Sequence, residues 1–238
     1  MKKVVGLGLL LAALLFASCS HSSSSSSDGG GNTYSGGGTT GTDQGTGTGG
    51  SSSSSGTTSA VTPTEMEAAV LTEMNFARTN PQGYVNARLV PQRTNPTVNL
   101  SGTSTYQSAL EECISQMNAM TPIGSLSLGA GLYKAAREWV VTQGAGTTTG
   151  HDPNLGSRIS KYCNWTSRGE NLAYGYSTAE AIVIALLVDD GVGDRGHRKN
   201  ILETDNHGPY THAGVSIGSH ARYNIMCCID YAGGYSDK

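Results

Sequence analysis

The chain has 238 residues, a formal net charge of −3 and 14% charged residues, with no run of Lys or Arg. Phosphate backbones need a concentrated basic face, so nucleic acid is excluded as an expected partner. Serine, glycine and threonine crowd the first quarter of the chain, which separates a polar leader from a region of ordinary composition.

The basic start Met1-Lys2-Lys3 is followed by an apolar run from Val4 to Phe16 and the small residues Ala17 and Ser18. Residues 1–18 read as an export signal, too short to span a bilayer as a mature helix. The stretch Leu15-Phe16-Ala17-Ser18-Cys19 is similar to the lipobox of bacterial lipoproteins, in which cleavage leaves Cys19 as the lipidated first residue. Phe16 departs from the usual small aliphatic there, and the alternative is a secretory signal with an incidental cysteine. Acyl chains contribute about 0.8 kcal/mol per buried CH₂, so several would hold the chain on a membrane permanently. The expected location is the bacterial envelope, as an outer-membrane lipoprotein or at the cell surface or periplasm.

Residues 19–60 are nearly all Ser, Gly and Thr, with Tyr34 the only aromatic. Such a segment cannot bury enough apolar surface to offset its conformational entropy. It is expected to be a disordered tether with a root-mean-square span of roughly 35 Å. Residues 61–238 have the length of one ordinary domain with its own core.

Within that domain Thr62-Pro63-Thr64-Glu65 predicts a helix start with Pro at the first helical position. Met66, Val70, Met74 and Ala77 then recur at helical spacing to about Thr79. Asn80-Pro81 stops that helix, and Gln82 to Leu89 predicts a short second piece before a Pro91 to Pro96 loop. Thr105 to Met120 predicts a third helix, and the stripe Leu132, Ala135, Ala136, Trp139, Val140, Gln143 a fourth, ended by Gly144 and Gly146. A Gly/Thr-rich loop then delivers His151. Ser177-Thr178-Ala179-Glu180 predicts another cap, leading into a buried helix over the apolar Ala181 to Val188. The period then changes to two. Ala213, Val215 and Ile217 alternate, as do Tyr223, Ile225, Cys227, Ile229 and Tyr231, which predicts paired strands joined across Gly218 to Arg222. Helices first and strands last give an antiparallel sheet covered by helices.

Apart from Cys19, four cysteines remain: Cys113, Cys163, Cys227 and Cys228. An even set in an oxidising compartment permits two disulfides. Neighbours on a strand point to opposite faces, so Cys227 and Cys228 would reach different layers, one to Cys113 and one to Cys163. The alternative is that some are buried free thiols. No Cys-x-x-Cys pair is present, which argues against a structural zinc site or a thioredoxin-like centre.

The ordered set Glu73-Met74-Asn75-x-Ala77-Arg78-x-Asn80-Pro81, Gly150-His151, Gly169-Glu170-Asn171-Leu172, Gly196-His197-Arg198-x-Asn200-Ile201-Leu202 and Ala213-Gly214-Val215-Ser216-Ile217-Gly218 resembles the CAP superfamily. That family comprises cysteine-rich secretory proteins, antigen 5 and pathogenesis-related 1 proteins, with bacterial SCP-like members. The resemblance implies an α+β fold, a three-layer α-β-α sandwich with a central antiparallel sheet. It also implies a cleft with two histidines and two acids that binds a divalent metal in several members. His151 and His197 match the histidines and Glu170 the first acid. The second acid of the family follows a helix-borne aromatic; Leu186-Leu187-Val188-Asp189-Asp190 takes that place without the aromatic, and Asp189 is the match, with Asp190 beside it.

The residues support such a cleft on chemical grounds as well. Imidazoles and carboxylates can supply the protein ligands of an open zinc site, with His151 and His197 as metal ligands, or can share a proton. The bland alternative is a hydrogen-bonded cluster that ties loops over the core. A binding or interaction module ranks first, with His151, Glu170, Asp189 and His197 as ligand-binding residues and a lipid, glycan or protein as ligand. Second comes a metal-dependent, protease-like hydrolase with Glu170 and His197 as catalytic residues, Glu170 being the general base for zinc-activated water. Third is an adhesive spacer in which only the tether matters.

Other features carry less. Gly214-Val215-Ser216-Ile217-Gly218 matches a nucleophile elbow, yet its flanks read as one continuous strand where the elbow needs a strand, a sharp turn and a helix. Asp189 to Asp194 is rich in oxygen ligands but misses the EF-hand spacing, so a tight loop positioning His197 is favoured over calcium. His207, His212 and His220 read as surface histidines, and Trp139 and Trp165 as core or cleft-wall residues.

Overall fold

The computed structural model describes residues 22–23, 61–98 and 105–238. The export signal, Cys19 and nearly all of the Ser/Gly/Thr segment lie outside the described residues. Two of its residues, β1 (Ser22–Ser23), pair antiparallel with Arg168 and Ser167 at the sheet edge.

The first helix, α1 (Glu65–Thr79), is capped by Thr64, two residues later than the sequence reading placed its cap. Thr64 accepts the Glu67 amide at 3.3 Å, and the Glu67 carboxylate accepts the Thr64 amide at 2.8 Å. The box settles there because Glu67 is itself held, also accepting the Ile217 amide at 2.9 Å. Asn80 closes α1 and opens α2 (Pro81–Tyr84), which runs on as a π turn (Val85–Leu89) and a 3₁₀ turn (Val90–Arg93). Next come α3 (Tyr106–Ala119), the short β2 (Ser127–Leu128), α4 (Ala130–Gly144), α5 (Leu155–Ser160) and β3 (Cys163–Asn164). Then follow β4 (Ser167–Tyr174), α6 (Ala179–Val188), α7 (Gly196–Leu202), β5 (His212–His220), β6 (Asn224–Gly233) and β7 (Ser236–Asp237). Thr178, not Ser177, caps α6, accepting the Ala181 amide at 3.1 Å. Among the described residues no helix is long and apolar enough to cross a membrane.

The main sheet has the order β1-β4-β6-β5-β2. Its centre, β4-β6-β5, is antiparallel as expected, whereas β2 adds a parallel edge on β5. The β5–β6 hairpin turns over Ala221 to Tyr223, later than the sequence reading placed it, because both strands continue to His220 and Asn224. Alternation along β6 assigns the layers. Cys227, Ile229 and Tyr231 face a core formed with α1, α3 and α6, while Met226, Cys228 and Ala232 face α4 and α5. Helices on both faces make β6 buried on each side, and they make the three-layer α-β-α sandwich. The apolar α6 is buried from Ile182 to Val188, and each such side chain contributes roughly 1.5–3 kcal/mol on leaving water.

Gly214 explains the glycine of the elbow-like motif. A Cβ there would stand 2.1 Å from the Tyr133 amide nitrogen, so the residue lets α4 lie directly on β5. Ser216 sits inside that strand, fully buried, with no helix following.

Of the two alternatives for the cysteines, the disulfides are absent and the buried thiols are found. Cys113, Cys163, Cys227 and Cys228 are all buried free thiols. Cys227 and Cys228 do face opposite layers, but each packs as a small apolar residue in its own cluster, and Cys163 lies in a third. Burial pushes the Cys113 and Cys163 thiols up to about 12.

Candidate functional site

Two chain segments converge beside β4. The loop after α4 is pinned where it matters: the Gln143 amide donates to the Gly150 carbonyl at 2.6 Å, and the Gly150 amide donates to the Tyr174 hydroxyl at 3.2 Å. The next residue, His151, then meets β4, its Nδ1 lying 2.6 Å from Glu170 Oε1.

The second segment is the turn between α6 and α7. Asp189 ends α6 in the left-handed region, φ 54°, where the short polar Asp is among the better-tolerated residues. Its carboxylate reaches forward over the turn. Oδ2 accepts the His197 amide at 2.9 Å and the Arg198 amide at 3.4 Å, and Oδ1 lies 2.7 Å from His197 Nδ1. Arg195 closes the turn, donating to the Asp189 carbonyl at 2.7 Å and the Val192 carbonyl at 3.1 Å. The Asp189 to Asp194 stretch thus positions His197. Of the two adjacent acids it is Asp189 that meets the imidazole; Asp190 accepts the Thr105 hydroxyl at 2.5 Å.

The two rings face each other with centroids 6.4 Å apart and planes inclined by 28°. All four matched residues, His151, Glu170, Asp189 and His197, are therefore in one place. An ionised carboxylate only accepts, so each acid fixes a proton on Nδ1 and leaves Nε2 as the basic nitrogen. His151 Nε2 is buried without a hydrogen-bond partner among the described residues. That orphan and the carboxylate behind each ring fit the way metal-bound imidazoles are held. The spacing fits less closely. A tetrahedral zinc with Zn–N near 2.1 Å brings two ring centroids to roughly 5 Å, so the rings must approach by about 1 Å. Both acids are spent on Nδ1, so the residues suit two imidazoles completed by solvent or ligand rather than three protein ligands.

Behind His151 lies a cluster that the sequence reading missed. Arg158 of α5, itself buried, donates to Asp152 at 3.0 Å, to Asp230 at 2.9 and 3.2 Å, and to Glu170 Oε2. One guanidinium therefore binds three carboxylates, including the one that holds His151. Burial and the neighbouring Glu170 outweigh Arg158 at Asp230 and push it up to about 8. Donor atoms of Glu170, Cys228 and Asp230 lie within 4.8 Å of one another, but Arg158 already supplies the cation there. Its one trace in the sequence is that Asp230 is the lone charge of its strand, which says nothing of Arg158 or Glu170.

The remaining histidines divide. His207 is half-buried, its Nδ1 3.3 Å from the Asp205 carbonyl. His212 stacks on Tyr235 with centroids 4.4 Å apart, and burial lowers its pKa. His220, expected at the surface, is buried, pairing with the Thr148 carbonyl at 2.9 Å and packing on Tyr174 and Tyr223. It closes the α4–α5 loop from the far side. Trp165 stacks under Arg168 at 4.4 Å.

A family model described as the cysteine-rich secretory protein family, CAP, matches residues 71–231. No curated protein matches the chain. Among solved structures, an outer surface protein from Borrelia burgdorferi is similar at 21% identity with a TM-score of 0.34, covering 53% of this chain and 87% of that one. The family match spans both histidine segments, β4 and the β5–β6 hairpin, and the chain belongs to the CAP family.

Proposed function

We propose that this chain is a ligand-binding or interaction module displayed outside the cytoplasm, with recognition centred on the His151–His197 cleft. The observation that supports it is the pairing of each imidazole with its own buried carboxylate, His151 with Glu170 and His197 with Asp189. Two rings held rigidly with their Nε2 nitrogens basic can accept a hydrogen bond or take a divalent metal, zinc being the chemical match. If a metal is bound, His151 and His197 hold it and it supplies a positive charge for an oxygen of the ligand. Glu170 has no exposure, and both its oxygens are taken, one by His151 and one by Arg158. It therefore suits holding a ring better than serving water as a base, which ranks the metal-dependent hydrolase below the binding module. In this reading residues 1–18 direct export, Cys19 carries the lipid, and the following segment sets the domain's distance from an outer-membrane or surface anchor.

Calorimetric titration of the full chain with Zn²⁺, alone and beside peptide and ester substrates, tests the cleft. Binding that His151→Ala or His197→Ala weakens, with no turnover at any metal loading, is the expected result. Metal-dependent turnover abolished by Glu170→Gln would replace this reading with the hydrolase. For the anchor, Cys19→Ser should move the protein from the membrane fraction to the soluble one and abolish radiolabelled palmitate incorporation.

A further inference from the structure

One residue beyond His151 the chain enters a concavity of about 430 Å³, within the range of roughly 300–1,000 Å³ typical of small-molecule sites. Its floor and walls come from α4, α5 and the turn between His151 and α5. Every charged side chain in the wall has its counter-ion in the wall: Lys161 meets Glu138 at 2.5 Å, and Arg158 meets Asp152 at 3.0 Å. A charged ligand would find no free opposite charge, which selects an uncharged one. Trp139 contributes an apolar surface, one part of its ring packed on the core. Short polar groups stand opposite. Asn154 occupies the N-cap position of α5, yet its side chain does not cap that helix. Asn154 and Ser157 are both exposed in the wall, leaving an amide and a hydroxyl for hydrogen bonds that run both ways. Among the described residues no strand edge borders the pocket to pair with a peptide backbone.

An indole surface, a bifunctional amide, a hydroxyl and closed ion pairs suit a ring with an apolar face and a hydroxyl rim. We propose that this pocket binds one residue of a neutral sugar chain, so that the ligand of the domain is an uncharged glycan extending from beside His151 across Trp139. The inference deepens the binding-module reading, but it does not need the paired imidazoles to bind metal.

Titration of the full chain with soluble neutral oligosaccharides (chitotriose, cellotriose and maltotriose), followed by Trp fluorescence and calorimetry, tests it. At least one should bind, and Asn154→Ala, at an exposed position, should weaken it about tenfold. Trp139→Ala should weaken binding further and Trp139→Phe should restore part of it. His151→Ala isolates the two readings: sugar binding retained in that variant alongside lost Zn²⁺ binding supports both sites, and retained sugar binding with no Zn²⁺ effect removes only the metal. No binding of any sugar, binding indifferent to Asn154→Ala and Trp139→Ala, or preference for a charged sugar or a neutral peptide over all three would overturn the proposal.

Discussion

His197 Nδ1 lies 2.7 Å from Asp189 Oδ1, and the other oxygen of the same carboxylate accepts the His197 backbone amide at 2.9 Å. One acid thus fixes both the ring and the first turn of the helix that carries it. Because Asp189 and His197 are fully buried, that pairing contributes to the stability of the fold itself.

Asp189→Asn keeps an acceptor and tolerates the left-handed backbone, so it should cost about 1–3 kcal/mol from the lost charge-assisted bonds. Asp189→Ala leaves the same donors unpaired and adds roughly 1–2 kcal/mol for a methyl-bearing residue at φ 54°. Urea unfolding should rank the parent chain, Asp189→Asn and Asp189→Ala in that order of falling stability; variant midpoints equal to the parent's would show that the pairing contributes nothing.

Arg158→Met leaves the Asp152 carboxylate and the buried Glu170 carboxylate without their shared cation and Asp230 without its donor, and should cost about 3–5 kcal/mol in urea unfolding. Arg158→Lys keeps the charge but not the planar fork that reaches three carboxylates, and should recover less than half of the loss.

Asp230 rises from an ordinary 3.8 to about 8 because burial, helped by Glu170, disfavours its charged form. The folded chain therefore keeps a proton there that the unfolded chain releases near pH 4. Stability from this group is complete below that pH and is lost as pH rises through about 8, with a slope of at most about 1.4 kcal/mol per pH unit. Urea midpoints across pH 4 to 8 should consequently fall less steeply for Asp230→Asn than for the parent chain; parallel profiles would contradict this.

Four buried thiols and no disulfide make the domain indifferent to reductant. Its thermal midpoint should be the same with and without dithiothreitol, whereas losing a disulfide typically costs about 2–5 kcal/mol. Ellman's reagent should label Cys113, Cys163, Cys227 and Cys228 only after unfolding.

Much of this architecture is legible in the sequence. The helical stripes of α1 and α4 are legible because each helix buries one face, and α6 because it is apolar throughout; in β5 and β6 alternation picks out the residues facing α1 and α6, although β6 is buried on both sides. The four cleft residues were legible through their local motifs. Three features were not. Asp230 hides in a strand buried on both faces, so no alternation marks it. Arg158 lies on a two-turn helix too short to show a period, and its importance comes from carboxylates 12 and 72 positions away. Strand β4 carries the Gly169 to Leu172 motif with buried residues on nearly every position, which removes the period-two signal. For the cysteines the sequence leaves two disulfides and buried thiols both open; composition and compartment cannot decide between them, and all four prove to be buried and free, even Cys113 and Cys227, which share one core cluster.

Long-range ¹H–¹⁵N spectra of the histidine-labelled full chain test most directly whether the two imidazoles form one carboxylate-held site. His151 and His197 should both carry their proton on Nδ1, and His151→Ala should shift the ring resonances of His197, whose centroid is 6.4 Å away. Either ring protonated on Nε2 alone, or a His197 spectrum indifferent to the loss of His151, would contradict the shared cleft.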